Sequence, residues 1–198
     1  MLKLNCVGIK YLFFSLSLLI SNIALGDERD WSLGGYGGKY YDSEPAGLTQ
    51  GNANFFDQYM LAITASRTVW RLKSLPLALE IDGMVGHQFG LVSLNEFAIA
   101  PAIRWSGFPW NEILQTGFRV APLGISYTSS ISSLERGPTG NGSHLLNFLF
   151  LELAFSPPQQ KSHEVFVRLH HRCAIYDQLN NYGANGEDFL VTGYRRYF

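Results

Sequence analysis

From Trp31 onward the chain runs in short stretches where apolar residues alternate with polar or small ones, and clusters of Gly, Pro, Ser and Asn interrupt them. A strand sends successive side chains to opposite faces, so a period of two predicts β-structure. Eight such runs are present, approximately Trp31 to Tyr41, Tyr59 to Trp70, Leu77 to Gln88, Glu96 to Trp105, Leu114 to Tyr127, Leu145 to Phe155, Glu164 to Ile175 and Phe189 to Phe198. Each holds about ten residues, the length of a tilted strand that crosses a bilayer, and the count is even. The pattern predicts an all-β fold, an eight-stranded antiparallel transmembrane β-barrel.

The connections alternate in character, which orients such a barrel. Lys73-Ser74-Leu75-Pro76, Ser106-Gly107-Phe108-Pro109-Trp110 and Ser156-Pro157-Pro158 mark compact turns, whereas Asp42 to Asn54, Thr128 to His144 and Tyr176 to Glu187 are long and rich in Gly and Asn. Outer-membrane barrels keep short turns in the periplasm and long loops outside. The seventh strand therefore runs outward, and its far end, His171 to Ile175, meets the outer leaflet beside the start of the eighth, near Asp188. Trp70, Trp105, Trp110 and Phe198 fall toward the periplasmic interface, where amphipathic rings settle.

Charge sharpens the assignment of faces. Glu80 and Asp82 alternate with Leu77, Leu79 and Ile81; Arg104 alternates with Phe97, Ile99 and Ile103; Glu152 alternates with Leu149, Leu151 and Leu153. A cation at mid-membrane facing lipid costs roughly 2–4 kcal/mol, so these charges belong inside. With Arg119, Arg168 and Arg172 both signs are present, and eight strands leave room only for side chains, so a lumen filled by ion pairs is expected in place of an open channel. A soluble lipocalin-like barrel, the competing eight-stranded fold, would have apolar residues inside and charges outside. Arg196 shares the face of Leu190 and Phe198 and must snorkel to the interface.

The first residues carry Lys3 and Lys10, an apolar stretch from Tyr11 to Ile20, and small residues around Ala24-Leu25-Gly26. That is the form of a secretory signal peptide over 1–26, too short to span a membrane, with the barrel occupying 27–198. Cys6 lies in the segment expected to be removed, which leaves Cys173 as the mature chain's one thiol and excludes an internal disulfide. A net charge of −1 gives no support for nucleic-acid binding. No phosphate-cradling loop or metal-ligand spacing stands out, and His87, His144 and His163 are isolated.

The stretch Arg168-Leu169-His170-His171-Arg172-Cys173 holds the candidate chemistry. Alternation sends His171 and Cys173 to the apolar side with Val165, Val167 and Leu169, and sends Arg168, His170 and Arg172 inward. A histidine two residues from a thiol, at the rim of a lipid-facing surface, suggests a base and a nucleophile aimed at a lipid. His170 is expected to be a hydrogen-bonding residue of the lumen. Glu135 and Arg136, in the long loop Thr128 to His144, are expected to form a solvated pair rather than a contact to a sugar or phosphate.

With the ending Gly193-Tyr194-Arg195-Arg196-Tyr197-Phe198 and the Gly/Asn-rich loop before it, this motif resembles the lipid A 3-O-deacylase (PagL) family and its acyloxyacyl-hydrolase-like relatives. The resemblance covers roughly the last 35 residues; the remainder matches in size, strand number and signal peptide. It implies a His-x-Ser motif on the penultimate strand and an acid about a dozen positions later that orients the histidine. His171 takes the place of the general base, and Cys173 stands where the family has serine. For the acid, the spacing from the carboxy terminus selects Asp188, the spacing from the nucleophile selects Asn185, and Glu187 lies between; Asp188 is preferred because it shares the outward face of Leu190 and Thr192. The asparagine that follows the nucleophile in the family is Ala174 here.

The expected function is deacylation of lipid A in the outer membrane of a Gram-negative-type bacterium, by a His171, Cys173 and Asp188 site that needs no cofactor, with lipid A or lipopolysaccharide and membrane lipids as partners. The alternative is a non-catalytic barrel with a structural, adhesive or lipopolysaccharide-binding role. Thiol chemistry does not decide between them. An ordinary thiol is only a few per cent ionised at neutral pH; a histidine partner increases that fraction and an apolar setting decreases it.

Overall fold

The computed structural model describes residues 30–42, 48, 50–72, 74–136, 140–175, 179 and 184–198. The proposed signal peptide, 1–26, lies outside the described residues, as do parts of the three long loops.

Eight strands form one closed antiparallel barrel in which each strand pairs with the next and β8 returns to β1. They are β1 (Trp31–Asp42), β2 (Asn54–Leu72), β3 (Leu77–Phe89), β4 (Leu94–Trp105), β5 (Gln115–Thr128), β6 (Leu145–Ser156), β7 (His163–Cys173) and β8 (Glu187–Tyr197). Closure leaves no unpaired edge, which a bilayer requires because hydrocarbon offers backbone amides no partner. The ladder slips at bulges, and two of them have a direct cause. Pro101 in β4 and Pro122 in β5 lie where the β4–β5 and β5–β6 registers shift, and proline has no N–H to give a ladder. At the β1–β8 seam a Cβ on Gly34 would lie 2.6 Å from the Cβ of Arg195, so glycine lets a large lumen arginine fit where the barrel closes.

The faces divide as the alternation expects. Leu33, Leu61, Ile63, Val85, Phe97, Ile99, Leu123, Ile125, Leu151, Val165 and Val167 all face outward and stand exposed. That girdle is far larger than any apolar patch a water-soluble monomer carries, and only lipid can cover it. The chain is a transmembrane barrel of the outer-membrane kind. A lipocalin-like arrangement is excluded, because the inside is polar.

The lumen is sealed by two ion clusters separated by aromatic rings. Toward the periplasm, Arg119 reaches Glu80 (2.8 Å), Asp82 (2.8 Å) and Glu152 (3.1 Å), while Arg168 bonds Asp82 (3.2 Å) and Glu152 (2.7 Å). Arg195 bridges Glu152 and Glu164, and Arg104 joins Glu164. Four guanidinium groups thus face four carboxylates, and pairing with hydrogen bonds is the condition under which buried charge is tolerated. Above them lie Tyr36, Phe148, Phe150, Phe166 and Phe189, with the Arg168 guanidinium 4.0 Å from the Phe150 ring centre.

The upper cluster corrects one expectation. Glu135 does not pair with Arg136 in solvent; it is fully buried and bound to Arg172 in the lumen. The loop after β5 folds inward behind it: Ser132 donates to the Glu187 carboxylate, and Leu134 packs against the aromatic layer. Arg172 is also near Glu96 (3.5 Å), so a buried guanidinium draws the loop's carboxylate down to complete its set of acceptors.

Candidate active site

β6, β7, β8 and β1 bring together an outward row at the end of the barrel that carries the long loops. Leu149 pairs with His171, His171 with Asp188, and Asp188 with Tyr41, so four adjacent strands present these side chains on one level. Within the row, His171 Nδ1 and Asp188 Oδ1 are 2.6 Å apart. A directly opposed cross-strand pair holds its side chains side by side, so register alone sets this contact. The tautomer follows from it: Nδ1–H donates to the carboxylate, and Nε2 is left with its lone pair for a proton. Both side chains keep partial access, at 24% and 12% exposure, which a group that meets substrate needs.

Cys173 follows on the same face one level nearer the outer surface, across from Asn147 of β6. The thiol is half-buried and unbridged. Of the three sequence-derived residues, His171, Cys173 and Asp188, the fold therefore gathers all three on one outward surface. It separates the alternatives for the acid. Glu187 points into the lumen, where it bonds Ser132 and Gln88, and Asn185 is exposed with its backbone N–H donating to the Glu135 carbonyl. His170, next to His171 in sequence, faces inward between Tyr36 and Glu96, at 3.2 and 3.1 Å. Among the other histidines, His87 bonds Asn95, His144 the Thr128 carbonyl and His163 the Tyr194 hydroxyl, each away from the site. Among the described residues no three His, Cys, Asp or Glu side chains converge as a metal ion needs.

Three residues of the neighbourhood escaped the sequence reading. Gly186 lies against the Arg172 backbone; a Cβ there would be 2.2 Å from that carbonyl oxygen and 3.3 Å from the Cys173 Cβ, so only glycine lets β8 start this close to the thiol. Tyr41 is buried beside Asp188, its ring against Phe55 and its hydroxyl without a partner among the described residues. Asn147 is an amide in an outward row otherwise made of Leu145, Leu149, Leu151 and Leu153, which was the available signal. Below the row, the outward face opens into an apolar groove of about 610 Å³ between Gly37, Leu61, Phe89, Val167, Leu190 and Thr192.

What the arrangement can do is transfer a proton from a thiol or a water to an oriented imidazole, next to lipid.

No family model matches the chain, and no curated protein matches it in sequence. Among solved structures, the outer membrane enzyme PagL is similar at 13% identity, with 84% of this chain and 99% of that one covered and a TM-score of 0.61. Neisserial surface protein A has 11% identity, 85% and 96% coverage and a TM-score of 0.47. The N-terminal β-barrel domain of Pseudomonas aeruginosa OprF has 10% identity, 87% and 100% coverage and a TM-score of 0.48. At such identity a likeness speaks for the fold alone, and the PagL superposition agrees with the lumen and girdle described above: the chain is an eight-stranded outer-membrane barrel.

Proposed function

We propose that the barrel is an esterase of the outer leaflet that removes an acyl chain from lipid A, with residues 1–26 as its export signal. The observation that carries this reading is the outward His171–Asp188 pair, two residues from Cys173, on a surface that only lipid can cover. A carboxylate-oriented histidine facing hydrocarbon has no packing role to explain it, and a polar group set against lipid is costly unless it has a task. The motif's resemblance to lipid A 3-O-deacylases supplies the substrate class.

In the proposed reaction Nε2 of His171 takes the thiol proton, and the Cys173 sulfur attacks the ester carbonyl carbon. The C=O pair moves onto oxygen and returns as the ester C–O bond breaks. His171 then protonates the departing sugar oxygen. A water, deprotonated by the same nitrogen, attacks the thioester carbon; the C–S bond breaks, the fatty acid leaves and the thiol is restored. Asp188 holds the ring and stabilises its cationic form throughout. The apolar groove beneath the row would receive the acyl chain.

A second reading, a non-catalytic barrel descended from such an enzyme, is favoured by one observation: a thiol stands where the resembled family has a hydroxyl. Mass spectrometry of lipid A from cells with and without the protein separates the two. Loss of one acyl chain supports the esterase, and identical lipid A profiles refute it.

A further inference from the structure

Attack on an ester carbonyl places negative charge on its oxygen, and an esterase needs a hydrogen-bond donor waiting there. The family resemblance offers no side-chain donor, because Ala174 follows the nucleophile. Further along the outgoing chain the Ile175 N–H is committed as well: it is bound, at 3.1 Å, to Oδ1 of Asn147.

That bond reveals what the other end of the Asn147 amide is free to do. Asn147 pairs directly with Cys173 across the β6–β7 ladder, and its outward neighbour on β5 is Ile125, so the side chain lies on the lipid face beside the thiol. It is 4% exposed. With Oδ1 fixed as the acceptor, the amide orientation is fixed too, and Nδ2 carries two N–H donors. Nδ2 donates to no described residue. An amide this buried, in a row of leucines and next to a candidate nucleophile, has no acceptor for Nδ2 among the described residues, and a reacting ester would supply one.

We infer that Asn147 is the oxyanion donor of the site, supplying from β6 what the residue after the nucleophile does not. The inference rests on Cys173 as the nucleophile. As sulfur bonds to the carbonyl carbon, the π pair moves to oxygen, and that oxygen accepts Nδ2–H. When the C–O bond breaks, the carbonyl re-forms and the hydrogen bond weakens. No proton leaves Asn147. The bond from Ile175 preorganises the donor, since the amide cannot rotate without giving up that N–H.

The test compares two reactions of the full-length protein purified from outer membranes in detergent: release of fatty acid from lipid A, and alkylation of Cys173 by iodoacetamide. The second is displacement at a saturated carbon and forms no oxyanion. Asn147→Asp keeps an oxygen for Ile175 N–H and removes the donor; Asn147→Leu removes both, and a heat-dependent shift in gel mobility reports that each variant is a closed barrel. We expect both variants to hydrolyse lipid A about 10²–10³-fold more slowly, with alkylation within about twofold of the wild type. Hydrolysis at the wild-type rate in Asn147→Asp overturns the inference. Equal loss of hydrolysis and alkylation also overturns it, because the amide would then act on the thiol. A wild-type protein that leaves lipid A intact while Cys173 alkylates overturns the esterase reading itself, an outcome distinct from an active wild type whose Asn147 variants keep pace.

Discussion

Glu152→Gln tests whether the lumen is held by its ion pairs. Glu152 lies at the centre of the lower cluster, fully buried, and accepts from Arg119 at 3.1 Å, from Arg168 at 2.7 Å and from Arg195. Glutamine keeps one acceptor oxygen, turns an NH₂ toward a guanidinium, and leaves three arginines with Glu80, Asp82 and Glu164 alone. Breaking one partner out of a buried pair costs about 3–5 kcal/mol, because the stranded charge has neither water nor a counter-ion. With a urea slope of about 2 kcal/mol per M, the unfolding midpoint falls by about 2 M. Tryptophan fluorescence of the refolded barrel in detergent, titrated with urea, reads that shift. Glu164→Gln is the internal comparison: Glu164 also bonds two arginines, but it lines a polar cavity of about 300 Å³ at the periplasmic mouth, where water can replace the lost oxygen. Its shift is expected to be less than half as large. A fall of under about 0.5 M for Glu152→Gln, or equal shifts for the two variants, would refute the claim that dehydrated charge pairing holds the lumen.

Three further outcomes follow from the same geometry. Asp188→Asn is expected to slow lipid A hydrolysis by about 10²-fold or more with no change in urea midpoint, since it alters the group that orients His171, whereas Glu187→Gln leaves the rate near wild type because its carboxyl lies in the lumen; the reverse result would transfer the acid role to Glu187. Cys173→Ala is expected to abolish hydrolysis and iodoacetamide labelling together, and for a lapsed enzyme the native protein is silent while Cys173→Ser gains activity; a fully active Cys173→Ala variant removes the nucleophile assignment. The mature chain is expected to fractionate with outer membranes and to change gel mobility on heating, and its recovery as a soluble periplasmic protein would contradict the lipid-covered girdle.

The strands were legible because a transmembrane barrel repeats one rule, apolar outward and polar inward, eight times over. The exceptions have local causes. β2 begins at Asn54 and runs 19 residues, five earlier than its alternation suggests. Phe55-Phe56-Asp57-Gln58 shows no clean period of two, yet Phe55 and Asn54 pair with Tyr41 and Asp42. β7 ends at Cys173, short of Ile175, because an asparagine side chain occupies the Ile175 N–H that a strand would have given to its neighbour. The outward placement of His171, Cys173 and Asp188 could be counted from alternation alone. Glu135 could not be placed, since its partner Arg172 is 37 residues away and nothing in the loop's own composition announces a buried carboxylate. Asn147 carried a signal, an amide among leucines, but its meaning depends on a register that pairs it with Cys173.

The two faces of β7 explain why the outer site has a fixed shape although it is built at the end of a strand, next to loops. Arg168, His170 and Arg172 are anchored to lumen carboxylates, and His171 and Cys173 ride on the same backbone, facing the other way. A shift of β7 by one residue would turn all five to the wrong side, so the ion pairs that fix the lumen also fix the outward register. The acid is held by a parallel chain of contacts. Arg172 holds Glu135, the Glu135 carbonyl takes the N–H of Asn185, Ser132 holds Glu187, and Asp188 follows with its side chain outward, 2.6 Å from His171. The charged interior touches no lipid, but it determines where the base and its acid meet, and a variant that loosens the upper cluster should therefore reduce hydrolysis without touching the substrate.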